Sequence, residues 1–301
     1  MTSEKSWPRV AVFGAGAVGC YFGGMLARAG APVTLIARPV HSEAINRDGL
    51  LFESLTFTER VKMRATTDAS AMRGASVVLF CVKTTDNESA AGILREHLDR
   101  GAVVVSLQNG VDNVERIQAA SGIAVLPSVV YVAASMPGPG HLKHVGRGDL
   151  VLSVEAAQVA EMFQAAGVPC RLVENITAEL WTKLILNCAY NAISALTGAT
   201  YGAIANNAEA RKVMQSAVDE CLAVAAGIGV QLAAAALWES ALQLGRAAER
   251  ATSSTAQDLA RGKRTEIDSL NGYVARRASQ LGIAAPVNQI LYALVKLRED
   301  V

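Results

Sequence analysis

Residues 9–19 read "RVAVFGAGAVG". The apolar run from Val10 to Phe13 suits a buried strand, and Gly14, Gly16 and Gly19 follow with GxGxxG spacing. Glycine-rich turns are common, so the spacing alone says little; its context carries the reading. A strand leads straight into the loop and a helical stretch to Arg28 leaves it. Gly14 is then placed for a tight turn, Gly16 for close approach of a pyrophosphate to the backbone, and Gly19 for helix-on-strand packing. The backbone N–H groups of Gly14, Ala15, Gly16, Ala17, Val18 and Gly19 would face phosphates at the helix start. A structural turn without a ligand is the alternative.

Outward from this loop, Gly30 stops the helix and "APVTLIAR" forms the second strand of a βαβ unit. The β-branched runs "ASVVLFCVK", "GAVVVSLQNG" and "IAVLPSVVYVAA" continue the alternation. Such a pattern predicts a mostly parallel, doubly wound sheet with helices on both faces, a Rossmann-type domain. Where an NAD-binding chain usually carries Asp or Glu after the second strand, this one has "IARP". Arg38 can pair bidentately with a 2′-phosphate that a carboxylate would repel, so the inferred cofactor is NADP(H). An exposed strand-end arginine is the other reading. Lys83 in "CVKTTD" and Asn109 in "LQNG" follow apolar strands, on the edge where such sheets bind ligands, and either a loop or a ligand role is open for each. The Gly- and Pro-rich "SMPGPGHLKHVGRGDLVLSV" predicts turns and short antiparallel strands. Its His141 and His144 sit in poor helix sequence and are not assigned to a metal.

The whole chain has 301 residues, 51% hydrophobic and 18% charged, enough for two folded cores rather than disorder. Its 28 basic and 27 acidic residues remove the electrostatic case for nucleic acid or a membrane surface. Five scattered cysteines without a CxxC read as reduced and intracellular. The opening "MTSEKSWPRVAVFGAG" lacks the pattern of an export signal. The apolar "CLAVAAGIGVQLAAAALW" is broken by Gly227, Gly229 and Gln231 and reads as a buried helix pair, not a membrane span.

After Val173 strand-like runs stop and alanine-rich helical patterns take over, which predicts a Rossmann domain over 1–173 and an all-α domain over 174–301. The all-α domain opens on "LWTKLILNCAYNAISAL", residues 180–196. On a helix Lys183, Asn187 and Asn191 fall at about 0°, 40° and 80°, with apolar groups in most other directions. A surface helix is built the other way round. Buried and unpartnered, each of these polar groups would cost about 1–3 kcal/mol, and an unpaired charge more. A solvated stripe is the bland alternative; a cleft holding substrate is the functional one. The second polar cluster is "SSTAQDLARGKRTEIDSLNG". There Ser254 with Gln257, and more loosely Thr265 with Asp268, suit capping boxes, and Glu266 suits a helix's first turn.

With "VAVFGAGAVG", "VKTTD", "LQNGVDN", "ELWTKLILNCAYNAISALTG", "SSTAQDLARGKRTEIDSLNG" and "GIAAPVNQILYALVK" in hand, the sequence resembles the 2-dehydropantoate 2-reductases, or ketopantoate reductases, almost end to end. That family reduces 2-dehydropantoate to (R)-pantoate with NADPH in pantothenate and coenzyme A biosynthesis. It is cytoplasmic, with a Rossmann domain, a helical domain and the active site between them. The resemblance implies that Lys183 is the general acid, that Asn187, Asn191 and Ser254 hold the substrate with it, and that Glu266 sits beside substrate and nicotinamide ribose. It also implies cofactor contacts from the glycine loop, Arg38, Lys83, Asn109, Glu266 and Ala134 of "YVAAS". Tyr201 in "LTGATYGAI" departs from the pattern, standing where an asparagine near the substrate can sit.

The chemistry fits independently of the name, since a hydride arriving at a ketone leaves negative charge on oxygen that needs a proton donor and hydrogen-bond donors. Three readings stand: a ketopantoate reductase, a reductase of another branched 2-oxo acid in the same fold, and a non-catalytic NADP(H) sensor, which would need no Lys183. A small 2-oxo acid is the expected partner, and a homodimer is open.

Overall fold

In a computed structural model of the chain, residues 6–300 are described. The first five residues of the N-terminal lead-in, read above for an export signal, and Val301 lie outside them. The chain forms two compact units, one running to Gln108 and resuming over Asp112–Ile176, the other made of Asn109–Val111 and the residues from Thr177 onward.

The first unit runs β1 (Val10–Phe13), α1 (Ala17–Arg28), β2 (Val33–Ile36), α2 (Pro39–Asp48), β3 (Leu50–Glu53), β4 (Thr58–Val61), β5 (Arg64–Thr66), β6 (Val77–Phe80), α3 (Asn87–His97), β7 (Val103–Ser106), α4 (Asn113–Ser121), β8 (Val125–Gly138), β9 (His141–Ser153), α5 (Ala157–Ala165) and β10 (Cys170–Val173). Strands β5, β2, β1, β6, β7 and β8 lie side by side in that order, all parallel. The chain therefore winds one way from β1 through β2 to β5 and the other way through β6 to β8, with the switch between β1 and β6.

Parallel strands buried on both faces read as unbroken apolar runs, and β1 is buried at every position. Val10 and Val12 join the core of Phe22, Leu26, Leu35 and Phe163. Ala11 and Phe13 join the opposite one of Met72, Phe80, Leu94 and Ile117. The doubly wound sheet expected from the sequence is present.

The Gly- and Pro-rich stretch differs from its expectation. Instead of short strands it belongs to a long antiparallel hairpin, β8 of 14 residues against β9 of 13. Register shifts at Tyr131/Val132 and Ala133/Ala134 absorb the irregular residues. Arg147 takes a positive φ of 54° there, held by Asp149 at 2.7 Å and lying over the Tyr131 ring. Beyond β9 the sheet continues through β3 to β4, with β10 also paired to β9.

The second unit is helical: α6 (Ile176–Thr197), α7 (Tyr201–Asn206), α8 (Ala208–Gly227), α9 (Ala234–Ala247), α10 (Ser254–Ala260), α11 (Asn271–Leu281) and α12 (Pro286–Glu299). Its core gathers Trp181, Ile185, Tyr190, Met214, Val218, Val274 and Val295 around α6. The expected buried helix pair is corrected in part. α8 buries six residues of one face, whereas α9 fully buries only Leu237, Ala241 and Gly245, with Trp238 and Leu244 part-buried against the same core. Alanine is small enough to sit on either side, so alanine-rich sequence does not fix burial. No helix among the described residues is long and apolar enough to cross a membrane.

Candidate active site

Three glycines of the nucleotide loop are fixed by distinct steric demands. Gly14 has φ +107°, and a Cβ there would come within 2.7 Å of the Cys81 and Val82 backbone. A Cβ on Gly19 would meet the Gly14 carbonyl oxygen and Val12, so the start of α1 lies directly on β1. Above Gly16 a Cβ would meet nothing within 4 Å. Gly16 is also the N-cap of α1 and brings no capping side chain to the first-turn N–H groups. Open space over a backbone whose N–H groups lack a side-chain cap is what a pyrophosphate needs, and the residues present fit a dinucleotide.

Arg38 is exposed just after β2 and forms the N-cap of α2, with Pro39 in the first turn. Lys83 follows β6 and opens a 3₁₀ turn over Thr84–Asp86. Beneath it lies a polar network that sequence reasoning missed. Gln108 donates to the Val82 carbonyl (2.8 Å) and to Asn87 Oδ1 (2.6 Å), Asn87 donates to Asn113 Oδ1 (2.8 Å), and Ser106 donates to Gln108 Oε1 (2.8 Å). These contacts tie the loop after β6 to the loop after β7. Only Gln108 closely follows an apolar strand; Asn87 and Asn113 are the first residues of α3 and α4, so no local pattern joins the three. Ala134 lies part-buried on β8, paired with His144 beside a register shift.

In the helical unit, no residue of α6 from Trp181 to Leu196 is exposed. Lys183, half-buried, donates from Nζ to Asn109 Oδ1 at 2.8 Å. Asn109 Nδ2 in turn donates to Glu266 Oε2 at 3.0 Å. The donor inventory fixes this arrangement: an ammonium only donates and a carboxylate only accepts, so the Asn109 amide must turn its oxygen to one and its nitrogen to the other. Lys183 and Glu266 thus meet through Asn109.

Asn191 is only 2% exposed. Its Oδ1 accepts the Tyr201 hydroxyl at 3.1 Å, and Tyr201 stacks on Tyr190 with centroids 4.5 Å apart. Tyr190 donates to the Ala241 carbonyl at 2.7 Å. Burial, with Tyr190 beside it, pushes the Tyr201 phenol up to about 12, so Tyr201 remains a neutral donor. Asn187 is half-buried and Ser254 exposed, and neither joins these contacts.

The expected caps are corrected. Ser253, not Ser254, caps α10: its Oγ accepts Ala256 N–H at 3.0 Å and donates to the Asn191 carbonyl at 3.0 Å. Gln257 Nε2 donates to the Thr252 carbonyl instead of closing a box. Thr265 and Asp268 form no capping box either. Thr265 Oγ1 donates to Glu299 and accepts from Ile267 N–H, while Asp268 accepts from Tyr292 and Lys296. A 3₁₀ turn, Ile267–Ser269, directly follows Glu266 and α11 begins only at Asn271, so Glu266 lies outside the first turn of a long helix.

The geometry agrees with the comparisons to known proteins. Family models described as "Ketopantoate reductase PanE/ApbA" and "Ketopantoate reductase PanE/ApbA C terminal" match residues 10–156 and 175–299. The chain belongs to the ketopantoate reductase family. A 2-dehydropantoate 2-reductase of Pyrococcus horikoshii is 33% identical across 97% of this chain and 98% of its own. The crystal structure of a PanE/ApbA family ketopantoate reductase from Ralstonia eutropha JMP134 superposes with a TM-score of 0.93 at 50% identity, covering 97% of this chain and 98% of that one. D-mandelate dehydrogenase, solved with NADH and anilino(oxo)acetate, shares the fold at a TM-score of 0.91 and 22% identity, over 97% of this chain and 98% of its own. This ketopantoate reductase family member is accordingly an oxidoreductase acting on a small molecule, and family and fold together imply a nicotinamide cofactor.

Proposed function

We propose that the chain reduces 2-dehydropantoate to (R)-pantoate with NADPH, and that Lys183 delivers the proton. The observation that carries this reading is the run of hydrogen bonds from Lys183 through Asn109 to Glu266. When bound, the nicotinamide supplies the hydride. Reduction of a ketone leaves negative charge on its oxygen, and the Lys183 ammonium is the group here able to protonate it. Asn109 aims that ammonium, and Glu266 keeps the Asn109 amide from turning over. Asn187, Asn191 and Ser254 are assigned to the substrate, Asn187 one turn beyond Lys183 on the same face of α6. Gly14, Gly16 and Gly19 with the N–H groups of Ala15, Ala17 and Val18 hold the pyrophosphate, and Arg38 pairs with the 2′-phosphate. Lys83 and Ala134 complete the assigned cofactor contacts.

A second reading, reduction of another 2-oxo acid, is favoured by one observation: Tyr201 engages Asn191, a residue assigned to the substrate. The fold by itself does not choose, since D-mandelate dehydrogenase shares it. The test is NADPH oxidation with ketopantoate, 2-oxoisovalerate and pyruvate. The first reading expects kcat/KM for ketopantoate to exceed the others by about 10²-fold or more, because a site that bonds the terminal hydroxyl rejects analogues lacking it. A larger kcat/KM for another 2-oxo acid replaces it with the second.

A further inference from the structure

Glu299 ends α12, and its side chain is only 6% exposed. A carboxylate in a helix's last turn faces the negative end of the dipole, and burial adds a desolvation penalty. The position is therefore unfavourable unless its partners compensate. Glu299 Oε1 accepts both the Thr265 N–H at 2.7 Å and the Thr265 hydroxyl at 2.6 Å, and Oε2 accepts Lys296 Nζ at 2.6 Å.

Those contacts fall on the residue before Glu266. Thr265 is 1% exposed, and its Oγ1 also accepts the N–H of Ile267, the residue after Glu266. One threonine thus braces the peptide on both sides of Glu266. Just beyond, Asp268 takes Tyr292 Oη at 2.7 Å and Lys296 Nζ at 3.2 Å, both from α12, and Arg276 of α11 donates to the Asp268 carbonyl at 2.7 Å. Lys296 bridges Asp268 and Glu299, so one face of α12 holds the segment from Thr265 to Asp268 at both ends.

We infer that Glu299 is a positioning residue for the reaction: through Thr265 it sets the backbone of Glu266, and so the carboxylate that orients Asn109 against Lys183. The inference rests on the proposed role of Lys183. A purely structural Glu299 would matter only for the stability of α12. An apolar contact would serve that end as well as a buried, charge-paired acid, whereas a fixed backbone position for Glu266 needs directional bonds to Thr265.

The chain contains its own control. Glu220 of α8 holds the other end of α12, accepting Val287 N–H at 2.8 Å and Asn288 N–H at 2.9 Å, and has no contact with Thr265 or Glu266 among these bonds. Glu299→Gln, Glu299→Ala and Glu220→Gln are compared in the full chain for urea midpoint, kcat, and KM for NADPH and for the 2-oxo acid turned over fastest. The expected result is a kcat loss of about 10-fold or more in Glu299→Ala, as for misplacement of an orienting group. KM for NADPH should change by less than about 3-fold, as expected when binding is untouched. Glu299→Gln, which keeps an acceptor for Thr265, should recover part of the loss. Glu220→Gln should lower the urea midpoint without the kcat loss. Equal kcat in all three variants, or losses that follow the urea midpoint alike at both ends of α12, overturn the inference. Absence of turnover in the parent with any 2-oxo acid overturns the proposed function, and the inference with it.

Discussion

Lys183 Nζ stands 2.8 Å from Asn109 Oδ1 across 74 residues of sequence, with Asn109 held on its other side by Glu266. Hydrogen bonds to charged groups contribute about 1.5–3 kcal/mol. Asn109→Ala is therefore expected to lower kcat/KM by about 10- to 100-fold, because the ammonium loses its aim. Steady-state kinetics with the preferred 2-oxo acid check this, and an unchanged kcat/KM would remove Asn109 from the account.

Arg38 is exposed immediately beyond β2. Under the proposed pairing of Arg38 with a 2′-phosphate, Arg38→Asp puts a repelling charge in its place and is expected to weaken NADPH by about 1.5–3 kcal/mol while sparing NADH. Titration of both cofactors into parent and variant measures it. Equal affinity of the parent for NADPH and NADH would argue against the assignment.

Tyr201 donates its hydroxyl to Asn191, a residue proposed to hold the substrate. Tyr201→Phe keeps the stacking on Tyr190 but removes the hydroxyl, leaving a buried amide oxygen to find a new partner. The kcat/KM ratio between ketopantoate and 2-oxoisovalerate is expected to change by at least about 10-fold, the scale of one hydrogen bond in discrimination. A ratio identical to the parent's would place Tyr201 outside substrate recognition.

The cluster on α12 sets an acid limb of stability. Burial pushes the Asp268 carboxyl up, but hydrogen bonds from Tyr292 and Lys296 outweigh it and hold it below its ordinary 3.8. At Glu299 burial also pushes up, and Lys296 with Thr265 holds it below 4.5. Folded values lower than unfolded ones mean stability fully present above the unfolded values and lost as pH falls through the folded ones. The urea midpoint should therefore drop as pH falls below about 4.5, and Glu299→Gln should flatten that drop. Parallel curves for parent and variant would refute the linkage.

Much of this was legible from sequence where one residue answers to one steric or polar demand. Gly14, Gly16 and Gly19 each had a separate reason to be glycine, and the Lys183 stripe stood out because α6 is otherwise apolar. Adjacent serines defeated the reading at α10, since a cap one residue earlier exchanges the buried and exposed hydroxyls of Ser253 and Ser254. Glu299 gave no signal because its partner Thr265 lies 34 residues away. The amide network around Gln108 likewise depends on strand pairing that no local pattern encodes. The short β3, β4 and β5 lack runs long enough to stand out.

The most direct test of the central claim is the turnover of Lys183→Ala with NADPH and ketopantoate, alongside NADPH binding to the same variant. A positioned general acid is worth about 10²–10⁴-fold, so kcat should fall by that factor while NADPH still binds. Turnover within a few-fold of the parent would contradict the account.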